Sequence, residues 1–381
     1  MKTYDTIIIG AGASGLFAAT QLAKRGKNTL IIDMGDMPAR KIAISGGGNC
    51  NFTNTRADYT HYFGKNPRFV MSALARFSPN DTLNWVKSHK IQYVEKEPGR
   101  YFCKNGSDDI VSALLQDIGN TKIQYKTNVI DIEKSDDTFT IKTNHGILYA
   151  KSVIVATGGV SYSHLCVSNI GHVIAKKFGH KIEPIHPALC TMKTKSFSPD
   201  LAGISVDVEI QIGKHKISDA LLFTHFGIGG PATYRATLID THEMVINFVP
   251  NTKMFKLLKS AKQTNGKKSI TNIIAESLPN KLARFLCNNT CNIADLRDSE
   301  LKQIAEKINH FKINDATTIG FQSAEVTFGG ISTDKISSKT MESQICHGLY
   351  FVGEALDITG DLGGYNLQWA FASGFVAGLN A

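Results

Sequence analysis

YDTIIIGAGASG, residues 4–15, is the stretch whose reading decides the fold. Thr6, Ile7, Ile8 and Ile9 form a β-branched apolar run suited to a strand buried on both faces. Gly10, Gly12 and Gly15 follow at once in G-x-G-x-x-G spacing. Gly10 permits a sharp turn, Gly12 lets backbone approach a pyrophosphate, and Gly15 lets the next helix pack closely. That helix is expected over residues 15–25, its N-terminal N–H groups, with Ala13 and Ser14 at the turn, aimed at the phosphates. A second strand over 28–32 ends at Asp33 and Met34. A carboxylate there accepts from ribose hydroxyls and repels a 2′-phosphate, which suits FAD or NAD better than NADP.

The 381 residues are enough for two or three domains, and 42% hydrophobic residues supply a full core. The formal charge of +9 raises the question of a nucleic-acid partner. The basic residues are dispersed, apart from a lysine enrichment over 253–281, and no arginine-rich tract interleaves with aromatics, so nucleic acid is disfavoured. Seven cysteines with no secretory signal ahead of them fit free thiols in a reducing compartment. Cys287 and Cys291 lack the second pair a zinc site needs, and no metal is expected. No segment reads as a membrane span, so a soluble cytoplasmic protein is the expectation. The oligomeric state is not readable.

Beyond Asp33, Arg40 and Lys41 precede a glycine-rich loop containing Ser45, Gly46 and Gly47, with Asn51 among the polar groups behind it; all are placed at the nucleotide. Helices are expected over 66–77, over 79–89 with Ser78 as cap, and over 107–118 with Ser107 as cap. Four short strands over 122–125, 128–134, 138–143 and 147–150 suggest an antiparallel meander, Val129 standing where adenine would meet backbone. A separate buried strand over 152–159 ends in Thr157 and Gly158 beside the nucleotide. Arg100, in GRYF, faces an anion or pairs on the surface.

The second informative stretch is LYFVGEALDITGDLGGYNLQWAFASGFVAGL, residues 349–379. A strand delivers Gly353 and Glu354, a glycine loop follows, and an apolar helix starts near Asn366 or Leu367. Glu354 is placed to accept from a ribityl hydroxyl, and Gly364 and the helix start to face a flavin's N1/O2 edge. The fold class is therefore α/β. A discontinuous Rossmann-type FAD-binding domain (1–189 and 325–381) carries a β-rich domain (190–250 and 312–324) and a helical subdomain (251–311).

With GAGASG at 10–15, KIAISGGGNCNFTN at 41–54, GRYF at 99–102, ATGG at 156–159, LLFTHFGIGGPA at 221–232, TFGGI at 327–331 and the long C-terminal string, the chain resembles the YhiN-like (BaiN-like) flavoproteins over nearly its whole length. It departs from their pattern at Asn49, generally Arg, and Cys103, generally Pro. The resemblance implies noncovalent FAD, a two-dinucleotide-binding-type domain, a β-barrel-like middle domain and a small helical domain. Members act on unsaturated bile-acid-like 3-keto steroids or resemble aminoacetone oxidase.

The expected activity is hydride transfer through flavin N5, from NAD(P)H or an amine to a small enone-type acceptor or oxygen. No second dinucleotide fingerprint is present, so NAD(P)H would be a transient donor. His225 is the protonatable candidate, against a structural reading as a histidine hydrogen-bonded in a turn. Cys50 reads as inert packing for want of a C-x-x-C partner. Tyr365 lies near the ring or anchors the helix. The competing reading is a flavin-dependent RNA-modifying or RNA-binding protein, motivated by the charge and the lysine-rich insert. An NAD-only dehydrogenase is opposed by the Gly353–Glu354 segment.

Overall fold

A computed structural model describes residues 3–239 and 243–381 in two compact units. One holds the described residues up to His186 together with Val326–Ala381; the other is Pro187–Glu325.

In the first unit, the strand Thr3–Ile9 sits mid-sheet, parallel to Thr29–Ile32 on one side and Gly146–Val155 on the other. Lys122–Gln124 extends the sheet beyond Thr29–Ile32, also in parallel. The meander reading is corrected twice here. Lys122–Gln124 belongs to the parallel sheet, and the strands expected over 147–150 and 152–159 are one strand, Gly146–Val155. That strand changes partners halfway. Residues Gly146 to Ala150 pair antiparallel with Thr138–Thr143, and Val153 to Val155 pair parallel with Leu349–Phe351. The apolar pattern changes because the neighbours change, with no break in the backbone.

The fingerprint helix, Ala13–Lys24, packs against the closing helix, Tyr365–Asn380. Glycines set the spacing. A Cβ on Gly374 would lie 2.3 Å from the Ser14 carbonyl oxygen, and one on Gly378 2.4 Å from that of Ala18. Phe17 and Phe371 meet at 5.0 Å between ring centroids, both fully buried. Arg25 donates from Nη1 to the carbonyls of Gly378 and Ala381, closing the far end. The buried Gln368 side chain accepts from the hydroxyls of Thr53 and Thr82 and donates to the Phe77 carbonyl, so its polar atoms are satisfied.

Of the expected caps, Ser78 holds Pro79–Ser88 in a full capping box with Asp81. Ser107 does not cap Asp108–Asp117: its backbone is helical and its hydroxyl donates to the Ala43 carbonyl.

The second unit is a seven-stranded antiparallel sheet. Its order is Phe311–Ile313, Met244–Asn247, Ser205–Ile212, His215–Thr224, Gly227–Gly229, Met192–Lys193 and Thr317–Thr318. The helices Met254–Thr264, Ile270–Ile274, Asn280–Leu286 and Asp298–Asn309 share one apolar core with it, through Leu258, Ile274, Leu282 and Leu301 against Ile210, Phe223 and Phe248.

Gly374→Ala reports on the helix pair. In an open helix this change stabilises by about 1 kcal/mol. Against the Ser14 carbonyl it is expected to destabilise by roughly 1–3 kcal/mol. A thermal melt with unchanged or raised midpoint would refute the close contact.

Candidate flavin-binding site

The turn after Thr3–Ile9 is locked by its glycines. Gly10 has φ +112°, and a Cβ there would meet the Ala156 carbonyl oxygen at 2.4 Å. One on Gly15 would meet the Gly10 carbonyl oxygen at 2.0 Å. Gly12 differs: its φ is −83° and an added Cβ meets no protein atom within 4 Å. It begins a helix with no side-chain cap and no acid in its first turn, so the chain leaves the helix's positive end uncompensated. Open backbone at an uncompensated N-terminus is what a pyrophosphate requires, and here the residues fit a dinucleotide.

Asp33 is buried and ties this turn together. Its carboxylate accepts from the N–H of Ala11 and of Gly35, each at 2.7 Å, and pairs with Arg40 at 2.9 Å. Arg40 also donates to the Leu165 and Cys166 carbonyls. Its cation therefore serves the acid and the loop around it. Met34 follows Asp33, and Val129 opens the strand Val129–Ser135.

The second cluster gathers residues far apart in sequence. Lys41 Nζ lies 2.6 Å from Glu354 Oε2 and donates also to the Ser161 hydroxyl at 2.8 Å. Glu354 Oε1 accepts from the Ser161 hydroxyl at 3.0 Å and the Thr327 N–H at 2.8 Å. The Thr327 hydroxyl in turn accepts from the N–H groups of Val160 and Ser161. Burial pushes the Glu354 carboxyl up. The Lys41 ammonium and the hydrogen bonds outweigh it and hold the group below its usual range.

This cluster sits beside the fingerprint, because a Cβ on Gly353 would lie 2.7 Å from the Ser14 hydroxyl. Gly353 is held by the Ser373 hydroxyl, to which its N–H donates, and by Trp369 Nε1, which donates to its carbonyl. Thr157 and Gly158 follow the strand Gly146–Val155, with Gly158 at φ +69° and an added Cβ there 3.9 Å from Glu354 Oε2. Behind Thr157, the buried His172 is pushed below its ordinary pKa by desolvation, against the opposing influence of Glu354 and a hydrogen bond to the Ala355 backbone.

The glycine loop before the closing helix is clamped from the other expected loop. The Asn51 carboxamide, oriented to satisfy both ends, donates to the Tyr101 carbonyl and accepts from the Gly364 N–H. Asn54 donates to the Gly363 carbonyl, and Arg100 to that of Leu362 while pairing with Glu97. Arg100 therefore restrains this loop. Asn366 bonds both backbone groups of Gly360, and Leu367 follows it in the first turn. Tyr365 is an anchor, stacked on His61 at 4.7 Å. In the Ser45–Gly48 turn the Ser45 hydroxyl donates to the Ile42 carbonyl, and Gly46 and Gly47 take positive φ.

His225 belongs to the second unit, where it is exposed at the turn between His215–Thr224 and Gly227–Gly229, with no side-chain hydrogen bond among the described residues. The hydrogen-bonded structural reading fails. Cys50 does have a thiol neighbour, Cys103, across the strands Asn51–Asn54 and Arg100–Cys103; both are buried, and this contact with burial pushes the Cys103 thiol up. The expectation that Cys50 lacks a thiol partner is therefore overturned. Ser161, Thr327 and His172 join the site without being among the residues the sequence points to. TFGGI marked Thr327; nothing local marks the other two.

The HI0933-like protein Rossmann domain family model matches residues 4–380. This chain belongs to that family. The HI0933-like chain is 39% identical to a ribosomal RNA dihydrouridine synthase of Haemophilus influenzae, over 99% of this chain and 98% of the relative. It is 35% identical to the protein of the same name from Escherichia coli, over 98% and 96%. It is 27% identical to a 3-dehydro-bile acid delta(4,6)-reductase of Clostridium scindens, over 98% of each. A solved 3-ketosteroid-delta4-(5alpha)-dehydrogenase from Rhodococcus jostii RHA1 shares the fold, with TM-score 0.51 and 12% identity over 99% of this chain and 96% of the other. The HI0933-like fold is thus a Rossmann-like FAD-binding fold with additional sheets and helices, and the family is one of FAD-dependent oxidoreductases. No helix among the described residues is long and apolar enough to cross a membrane.

Two outcomes are expected. Gly12→Ala folds with a melting temperature near wild type, since its Cβ meets no protein atom, yet the purified protein retains much less FAD; full FAD occupancy would contradict the placement of the pyrophosphate. The depressed Glu354 pKa contributes stability above the carboxyl's ordinary pKa that is lost as pH falls through the lowered value. Lys41→Gln should cost between the ~1 kcal/mol of an exposed pair and the ~3–5 of a fully buried one, and move acid unfolding to higher pH. An acid limb identical to wild type would show that Lys41 does not hold the charge.

Proposed function

We propose that this chain is an FAD-dependent reductase that saturates the C5=C6 bond of uridine in ribosomal RNA, with a reduced nicotinamide as electron donor. The observation that carries this reading is the 39% identity to the Haemophilus influenzae relative over essentially both chains. Composition alone disfavours a nucleic-acid partner; this identity supports one.

Two lines of chemistry support it. The uracil C5=C6 bond is conjugated with the C4 carbonyl, so it is itself an enone-type acceptor. The reduction expected from the flavin site and the RNA reading motivated by charge are then one reaction. Uridine loses a π bond and gains a hydride and a proton; the nicotinamide loses the hydride. The lysine run over 253–268 contains no acid. Lys259 and Lys262 are drawn to Asp298, and Lys268 to Glu276. Lys253, Lys256 and Lys267 are exposed with no ion pair among the described residues, as phosphate binding needs.

When bound, FAD supplies the hydride relay between donor and double bond. Gly10, Gly12, Ala13, Ser14 and Gly15 would hold its diphosphate, Asp33, Met34 and Val129 its adenosine end, and Arg40 would keep Asp33 in place. Lys41, Glu354, Thr157, Gly158 and Gly353 would hold the middle. Gly364, Asn366 and Leu367 would offer a helix N-terminus to the ring, supported by Ser45, Gly46, Gly47 and Asn51. The Lys41–Glu354 pair keeps a carboxylate ionised as a hydroxyl acceptor, and Ser161 and Thr327 fix its direction.

The test is anaerobic incubation of the flavin-loaded protein with unmodified ribosomal RNA transcript and NADH or NADPH, followed by nucleoside mass spectrometry. Dihydrouridine is expected. Its absence, with reduction of an unsaturated 3-keto bile acid in the same preparation, would replace this reading with the steroid one.

A further inference from the structure

We propose that the turn His225–Phe226 is a stacking contact for an unpaired base of the RNA substrate, with Lys193 and Lys195 taking the adjoining phosphates. This rests on the ribosomal-RNA reading above and adds where the RNA is held.

Thr224 pairs with Gly227 as the last rung between His215–Thr224 and Gly227–Gly229, leaving His225 and Phe226 as a two-residue turn. Such turns favour glycine, asparagine and aspartate. Here one position holds a phenylalanine that is 71% exposed, the most exposed large hydrophobic among the described residues. The turn is pinned. The Phe226 carbonyl accepts from the Thr194 N–H at 3.1 Å, and a Cβ on Gly227 would lie 2.3 Å from the Met192 carbonyl oxygen. A rigid backbone thus presents an aromatic face to water, which suits stacking because little freedom remains to be lost.

The adjoining strand supplies charge. Lys193 is the register partner of Gly227, and Lys195 lies two residues on. Both are exposed and neither has an ion pair among the described residues. The nearby acid, Asp315, accepts from the Thr194 hydroxyl, the Lys195 N–H and the Ser196 hydroxyl, bonds that hold its carboxylate on the backbone and away from an ion pair with either lysine. His225 adds a second exposed ring. An aromatic flanked by cations that form no ion pair among the described residues matches a single-stranded nucleic acid, whose bases stack and whose phosphates pair.

The experiment measures affinity of the FAD-loaded protein for purified bacterial ribosomal RNA across a salt series, with melting temperature and flavin content as controls. Phe226→Ala is expected to weaken binding about 5- to 100-fold, and Phe226→Trp to retain it. Lys193→Gln and Lys195→Gln should each flatten the log affinity–log salt slope by about one. If Phe226→Ala lowers the melting temperature, the tryptophan and glutamine variants carry the same test. Wild-type affinity in all four variants would overturn the proposal, as would loss of binding to anionic phospholipid vesicles with RNA binding intact. Should wild type form dihydrouridine while Phe226→Ala binds normally, the turn is refuted and the reaction stands. Should wild type form none, the reaction itself fails.

Discussion

The structure depends on how closely its last helix approaches its first. Two glycines permit it, Gly374 and Gly378 against the carbonyls of Ser14 and Ala18, and Gly353 sits as closely on the Ser14 hydroxyl. Side chains there would separate the helices by more than a core can absorb. Because the helices touch, the strand Leu349–Phe351 is positioned beside Gly146–Val155, and Glu354 emerges next to the fingerprint turn. The Arg25 bonds to the carbonyls of Gly378 and Ala381 depend on the same approach.

That geometry also explains how a partly buried carboxylate in the first unit stays ionised. A buried acid is costly unless it is paired and its lone pairs are filled. Glu354 meets both conditions through Lys41, Ser161 and the Thr327 N–H, contributed by three separate stretches of chain. The cluster therefore exists only in the folded unit. Asp33 follows the same logic nearby, its charge divided between two backbone N–H groups and Arg40.

Much of this was legible because it is local. A β-branched run, three glycines and an acid after the second strand occupy 28 consecutive residues, 6–33, and each residue type has one physical reason to be there. The closing strand, Glu354 and the glycine loop were readable for the same reason. What escaped notice was non-local. Ser161 and Thr327 matter only because the fold brings residues 166 positions apart into contact. Cys103 becomes the neighbour of Cys50 only through strand pairing. The strand Gly146–Val155 read as two because a change of partner alters the hydrophobic pattern as a turn would. Ser107 looked like a cap because its type and position fit, but the Ala43 carbonyl claims its hydroxyl.

Hydrogen–deuterium exchange of the FAD-free and FAD-loaded protein tests the central claim most directly. If the two ends of the chain form one cofactor site, FAD should slow exchange together in residues 10–16 and 353–367. Protection confined to the first stretch, with the second exchanging alike in both states, would contradict the account.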